Sequence, residues 1–227
     1  MVMIKGLQKT CLLNYPPYTV ATVFVGGCNF SCPFCHNKDL VLNPSSIDTI
    51  HEDELMDLLD KRGKWLDGVC ITGGEPLLYD ITDLAKKIKD KGFKVKVDTN
   101  GTNPQQLKTL IDQKLVDYVA MDIKSSKEKY NEAANCNVDM DKIERSIQII
   151  KDSGIEHEFR TTFVPKLHTI EEVKNIGEWL KGADKFVVQN FKPGTCLDPS
   201  FNDEKSFGEK ELEEFRCILK NHIKEVI

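Results

Sequence analysis

The chain has 227 residues, 40% of them hydrophobic and 30% charged, which is ordinary composition for one globular domain with a substantial core. A net charge of -5, from 31 basic and 36 acidic side chains, gives no global affinity for nucleic acid or for an anionic membrane. No signal-peptide core and no run of about 18 apolar residues occurs, so a cytoplasmic protein without a membrane span is expected.

Short β-rich runs alternate with helical patterns from residue 20 onward. The predicted strands are Val20–Val25, Gly68–Thr72, Phe93–Asp98, Tyr118–Ile123, Glu158–Val164 and Lys185–Asn190. Helix signals follow them. Thr49 and Glu52 have capping-box spacing ahead of Leu55, Leu58 and Leu59, and Thr169 and Glu172 repeat it. Asn103 precedes Pro104 as an N-cap before N1. Ile81, Leu84 and Ile88 keep helical spacing before Gly92, as do Ile143, Ile147 and Ile150 before Gly154. A last helix is predicted over about 209–225, after an irregular crossing from Lys192 to Gly208 that holds two prolines and two glycines. Repeated βα units make a parallel sheet, and about six of them predict an open, TIM-like (β/α)6 barrel of the α/β class. The expected organisation is one domain, 1–227, with a core of about 15–192 and a tail and helix over 193–227.

Such a barrel carries its chemistry at the C-terminal strand ends. Cys28 follows the first run, Gly73-Gly-Glu-Pro76 the second, Asp98-Thr-Asn-Gly101 the third, and Asp122 to Lys124 close the fourth. Cys28, Cys32 and Cys35 crowd into eight residues behind Gly26-Gly27, and three thiolates so close select zinc, copper(I) or an iron–sulfur cluster. A cubane on three cysteines leaves one iron open, whereas a structural zinc closes its fourth position with protein. His36 is the candidate for that closure, in a zinc-binding scaffold, or else a wall of a substrate pocket. The other cysteines, at 11, 70, 136, 196 and 217, read as isolated thiols. Gly73 and Gly74 either open a strand end to a ligand or form a simple turn.

Cys28-x3-Cys32-x2-Cys35, the aromatic Phe34 and Gly73-Gly-Glu-Pro76 together resemble the radical S-adenosylmethionine superfamily. The resemblance implies that the three cysteines hold a [4Fe-4S] cluster whose open iron chelates S-adenosylmethionine. One electron then cleaves the sulfonium and yields a 5′-deoxyadenosyl radical. Within the superfamily, Cys35-His36-Asn37, Asp98-Thr-Asn-Gly101 and Met121-Asp-Ile-Lys124 resemble the activases of glycyl-radical enzymes. Lys5 to Thr10, Val119 to Lys124, Glu158 to Thr162 and Gln189 to Pro193 look most like the longer activating proteins of anaerobic ribonucleoside-triphosphate reductase. The pyruvate formate-lyase activase is the nearest rival, and a small-molecule substrate a further alternative. Between Cys35 and Gly73 only Cys70 occurs, so a ferredoxin-like insert is lacking and the implied electron donor is a separate flavodoxin or ferredoxin.

Carried over position by position, the resemblance puts Phe34 beside the adenine and Gly73, Gly74 and Glu75 at the methionyl amino end. His36, Asn100 and Gln189 are further cofactor-site candidates. Asp98 and Asp122 match carboxylates that hold a monovalent cation, or alternatively cap the next helices. Lys124 either lies beside S-adenosylmethionine or forms a surface ion pair. Arg160 alternates with Phe159, Thr161 and Phe163 along its strand. If it faces inward it meets the ligand carboxylate or a protein carboxylate.

Overall fold

The structure is a computed structural model and describes residues 2–227. One eight-stranded sheet organises it. Strand β1 (Ile4–Cys11) runs antiparallel to β2 (Val20–Val25), and β2 opens a parallel series. That series continues with β3 (Gly68–Gly73), β4 (Lys94–Thr99), β5 (Tyr118–Asp122), β6 (Glu156–Phe163), β7 (Lys185–Asn190) and a short β8 (Glu225–Val226). Each strand pairs with its predecessor in the chain, and among the described residues no pairing closes β8 onto β1. The barrel is therefore open, with β2 to β7 as its six parallel staves.

Helices α1 (Lys38–Leu42), α2 (Glu52–Arg62), α3 (Thr82–Asp90), α4 (Pro104–Asp112), α5 (Tyr130–Ala134), α6 (Met140–Ser153), α7 (Ile170–Trp179) and α8 (Glu209–Leu219) connect the strands or follow them. Most bury one apolar stripe. Leu84, Ala85 and Ile88 of α3, and Ile143, Ile147 and Ile150 of α6, lie inside at three- and four-residue spacing. Two caps form where the sequence places them: Asn103 Oδ1 accepts from Gln106 N at 3.2 Å, and the Glu172 carboxylate accepts from Thr169 N at 2.8 Å. Strand β2 is buried along nearly all its length, as expected for a stave covered on both faces.

Four features differ from the expectations. Strand β1 gives a weak sequence signal because it is a partly exposed edge strand whose register shifts twice, which breaks the two-residue alternation. The box expected at Thr49 and Glu52 sits two residues later, with Glu54 accepting from His51 N. Thr49 Oγ1 is already taken by Lys5 Nζ at 2.9 Å, tying this segment to β1. The last helix ends at Leu219, and the chain turns to add β8 beside β7. Both chain ends thus enter the sheet beyond the 15–192 core.

The barrel floor is filled by the β1–β2 connection. Tyr15 is buried with its ring 5.3 Å from Tyr118, Lys96 Nζ donates to Asn14 O at 2.6 Å, and Asn14 Nδ2 donates to Thr22 Oγ1 at 3.0 Å. The open end is the opposite one. Leu84→Ala removes a fully enclosed side chain of α3, and urea titration should show unfolding free energy lower by about 2–5 kcal/mol.

Candidate active site

The residues between β2 and α1 form a loop hung from its neighbours by backbone and amide contacts. Glu75 N donates to Gly27 O at 2.8 Å, and Gly74 N to Val25 O at 2.9 Å. Asn29 bonds Asn100 and Thr102, and Ser31 N donates to Ala134 O at 3.0 Å. Asp198 N reaches Pro33 O and Leu197 N reaches Cys35 O, both at 2.9 Å. Asn37 Nδ2 donates to Gly73 O at 3.1 Å. With the loop held in this way, Cys28, Cys32 and Cys35 all line one cavity at the C-terminal end of the barrel.

Gly73 and Gly74 also have a packing reason to lack side chains. A Cβ on Gly74 would stand 1.9 Å from Gly27 O, and one on Gly73 2.5 Å from Val25 N. Their missing side chains let the cysteine loop lie directly on the end of β3, so backbone rather than ligand fills that space. Both glycines still line the cavity.

Glu75 is buried and works as a strut. One oxygen accepts from Leu77 N at 3.0 Å and Thr99 Oγ1 at 2.6 Å, the other from Asn100 N at 2.7 Å. It joins the ends of β3 and β4, and its second oxygen keeps capacity to accept once more. Burial pushes its carboxyl up to about 7, against the pull of those three donors.

Arg160 faces the cavity with Thr162, while Phe159 and Phe163 are buried on the other face of β6. Its guanidinium is engaged by protein carboxylates: Asp122 at 2.5 Å, Asp98 at 3.1 Å and Glu158 at 3.9 Å. Lys124 Nζ takes the other Asp122 oxygen at 2.9 Å, and Lys96 Nζ stands 3.2 Å from Asp98 Oδ1. That last contact lacks hydrogen-bond geometry, and Asp98 Oδ1 is buried without a hydrogen-bond partner. Three basic and three acidic side chains thus share the barrel interior in balance. Burial opposes the charge of Asp122, but Arg160 and Lys124 outweigh it and hold this carboxyl well below its usual range. Each Asp122 oxygen accepts from a cationic side chain and Asp98 Oδ1 faces the Lys96 ammonium, so a monovalent cation between Asp98 and Asp122 would compete with Arg160, Lys124 and Lys96 for these oxygens.

Phe34, His36 and Asn100 line the cavity, with the His36 ring 5.7 Å from that of Phe191. Gln189 does not; paired with Thr162 across β6 and β7 and on the same face of the sheet, it accepts from Thr162 Oγ1 at 3.2 Å. Thr162 and Phe191 were not singled out as site residues, although Thr162 shares the face of Arg160 and Phe191 directly follows β7. His168 is buried just ahead of α7: Val164 N donates to its Nδ1 at 3.0 Å and its Nε2 reaches Lys124 O at 2.8 Å, so it pins the backbone of Lys124.

The donor set fits a multi-iron cluster. Three thiols face one cavity, a soft donor set of the kind that holds iron–sulfur clusters. The backbone N–H of Phe30 donates to Cys28 Sγ at 3.4 Å, a bond that favours the thiolate. Burial pushes the Cys28 thiol up to about 11 and that of Cys32 up to about 12, so loading must displace protons.

With its pKa raised from 4.5 to about 7, Glu75 keeps a proton in the folded chain that the unfolded chain has released. Its share of stability is complete below about pH 4.5 and is lost as pH rises through about 7. Between about pH 4.5 and about pH 8, the drop in unfolding free energy should be smaller by about 3 kcal/mol in Glu75→Gln than in the unaltered chain. Urea titrations at the two pH values measure it.

Residues 22–180 match the radical SAM superfamily model. A Methanocaldococcus jannaschii protein provisionally named a glycyl-radical enzyme activating enzyme is 35% identical over 99% of this chain and 95% of its own. The pyruvate formate-lyase-activating enzyme of Clostridium pasteurianum is 26% identical over 82% of this chain and 81% of its own. Streptococcus suis SuiB bound to S-adenosylmethionine has a similar fold, with a TM-score of 0.65 and 16% identity over 88% of this chain and 48% of SuiB. The reading of an enzyme rather than a zinc scaffold therefore stands: the chain belongs to the radical SAM superfamily, in its group of glycyl-radical-enzyme activases, whose cofactors are a [4Fe-4S] cluster and S-adenosylmethionine.

Proposed function

We propose that this chain activates an anaerobic ribonucleoside-triphosphate reductase by removing a hydrogen atom from a glycine of that protein, and that the whole chain serves this task in a reducing, cytoplasmic setting. The observation that carries the proposal is the convergence of three thiols, the Gly73 to Glu75 segment and a charge-balanced polar floor on one barrel mouth. The sequence wording from Lys5 to Thr10 and from Val119 to Lys124 favours the reductase as partner. The match to a pyruvate formate-lyase-activating enzyme supports that lyase as the second reading.

When bound, the cluster and S-adenosylmethionine supply a 5′-deoxyadenosyl radical through one-electron cleavage of the sulfonium. The chain's own residues bind and orient. In this reading Cys28, Cys32 and Cys35 hold the cluster, Phe34 stands beside the adenine, and Glu75 uses its remaining acceptor capacity toward the methionyl ammonium. Arg160 and Lys124 act on the ligand carboxylate as part of a fixed network, since their charges are already matched by Asp98 and Asp122. That network needs no change of protonation during hydrogen-atom transfer, so positioning of the glycine is the main demand on the protein. Cys70, within the interval that holds extra clusters in many activases, is fully buried in β3, which supports an external flavodoxin or ferredoxin as donor.

Anaerobically reconstituted chain, given reductant, S-adenosylmethionine and the reductase, should give a glycyl-radical doublet by electron paramagnetic resonance. With the glycine deuterated, the label should appear in 5′-deoxyadenosine. A doublet only with pyruvate formate-lyase favours the second reading, and none with either protein defeats both. Cys32→Ala should bind less than one cluster per chain and give no doublet.

A further inference from the structure

The contacts that hold the cysteine loop come from two sources. Its first half is held by Glu75, Asn100, Thr102 and Ala134, all inside the segment that matches the superfamily. Its second half, where Pro33 and Cys35 lie, is held by Leu197 N and Asp198 N from the strap 191–207, outside that segment, and at its end by the bond from Asn37 to Gly73 O within it. These amides bond the carbonyls of Pro33 and Cys35, so they fix the peptide plane between Pro33 and Phe34 and the one between Cys35 and His36, and with the latter the direction of the Cys35 side chain.

The strap has one short 3-10 turn, Pro199–Phe201, and its shape comes from side chains. Asn190 clasps its far end twice, Nδ2 donating to Phe207 O at 2.8 Å and Oδ1 accepting from Phe207 N at 3.1 Å. Asn202 folds the middle: its carbonyl accepts from Gly194 N at 3.1 Å and its Oδ1 from Cys196 N at 2.8 Å. Lys166 holds the outer side through Ser200 O at 2.7 Å and Glu204 at 3.0 Å. Phe191, Cys196 and Phe201 are its buried anchors. A 17-residue crossing so fixed is a built element, and its two inward amides end on the cysteine loop.

We infer that the strap is the positioning element of the third cysteine, with Asn190 and Asn202 as positioning residues that act on the cluster through Leu197 and Asp198. The inference rests on the reading that Cys28, Cys32 and Cys35 hold the cluster. Neither asparagine touches the cavity. Their effect is on how tightly, and in which geometry, the last sulfur is presented, as for other groups that orient a metal ligand from behind.

The test compares reconstituted Asn190→Ala, Asn190→Asp and Asn202→Ala with the unaltered chain and with Lys224→Ala, which removes an exposed ion pair to Asp184. A ferrous chelator is added without S-adenosylmethionine or partner, and cluster absorbance is followed. Release from Asn190→Ala and Asn202→Ala should be faster by about 10-fold, at the low end of the effect of losing a group that orients a metal ligand. Asn190→Asp, which keeps the acceptor for Phe207 N but loses the donor, should be intermediate. The dithionite-reduced Asn190→Ala and Asn202→Ala proteins should show a shifted or broadened paramagnetic signal while cluster-free protein melts as the unaltered chain does. Release within twofold of the unaltered chain, or faster release that tracks lost melting temperature with an unchanged signal, overturns the inference. If Asn190→Ala does not fold, Asn202→Ala decides by the same criteria. An unaltered chain that takes up no iron defeats the cluster reading itself, and this inference with it.

Discussion

The site depends on a backbone contact with no room for a side chain. Gly74 lies against Gly27 so closely that any Cβ would overlap the carbonyl oxygen, and the amides of Gly74 and Glu75 bond the chain leaving β2. This contact locks the cysteine loop to the neighbouring strand end. From there Glu75 carries the connection inward to Thr99 and Asn100, so the ends of β2, β3 and β4 become one rigid rim. The cavity inherits its shape from that rim.

Below the rim, charge is arranged to cancel. Lys96, Asp98, Arg160, Asp122, Lys124 and Glu158 alternate in sign through the barrel. Removing one member of a buried network leaves its partner uncompensated, at a cost of several kcal/mol, whereas the complete set is tolerable. Completeness also fixes geometry: Arg160 meets three carboxylates at once and can adopt few other positions. The polar floor under a cofactor is therefore preorganised, which is what electrostatic stabilisation requires.

Much of this was legible in the sequence, because the signals were local. Buried staves read as apolar runs, Asn103 and Thr169 marked helix starts by their side-chain chemistry, and the spacing of Cys28, Cys32 and Cys35 identified one loop. What escaped depended on distant partners. Strand β1 exists because β2 offers an edge, not because Lys5 to Thr10 favour extension strongly. Thr49 lost its capping role to Lys5, a residue 44 positions away. Gln189 shares the face of Thr162, its partner across β6 and β7, yet does not line the cavity, and no alternation rule says which residues of one face reach it. Glu75 looked like a ligand contact, and its three donors come from an adjoining turn and the next strand.

Directly after the third cysteine, α1 and the turn Pro44–Ser46 bury none of their residues, although the preceding loop is held firmly. Their ties to the rest include the bond from Gly27 N to Leu40 O at 2.7 Å. Local opening there separates few apolar surfaces, so its free energy is a small part of that for global unfolding. The barrel can stay folded while one side of the cysteine loop is uncovered. The side of the cysteine loop next to α1 is thus the one that can be uncovered at least cost to the barrel.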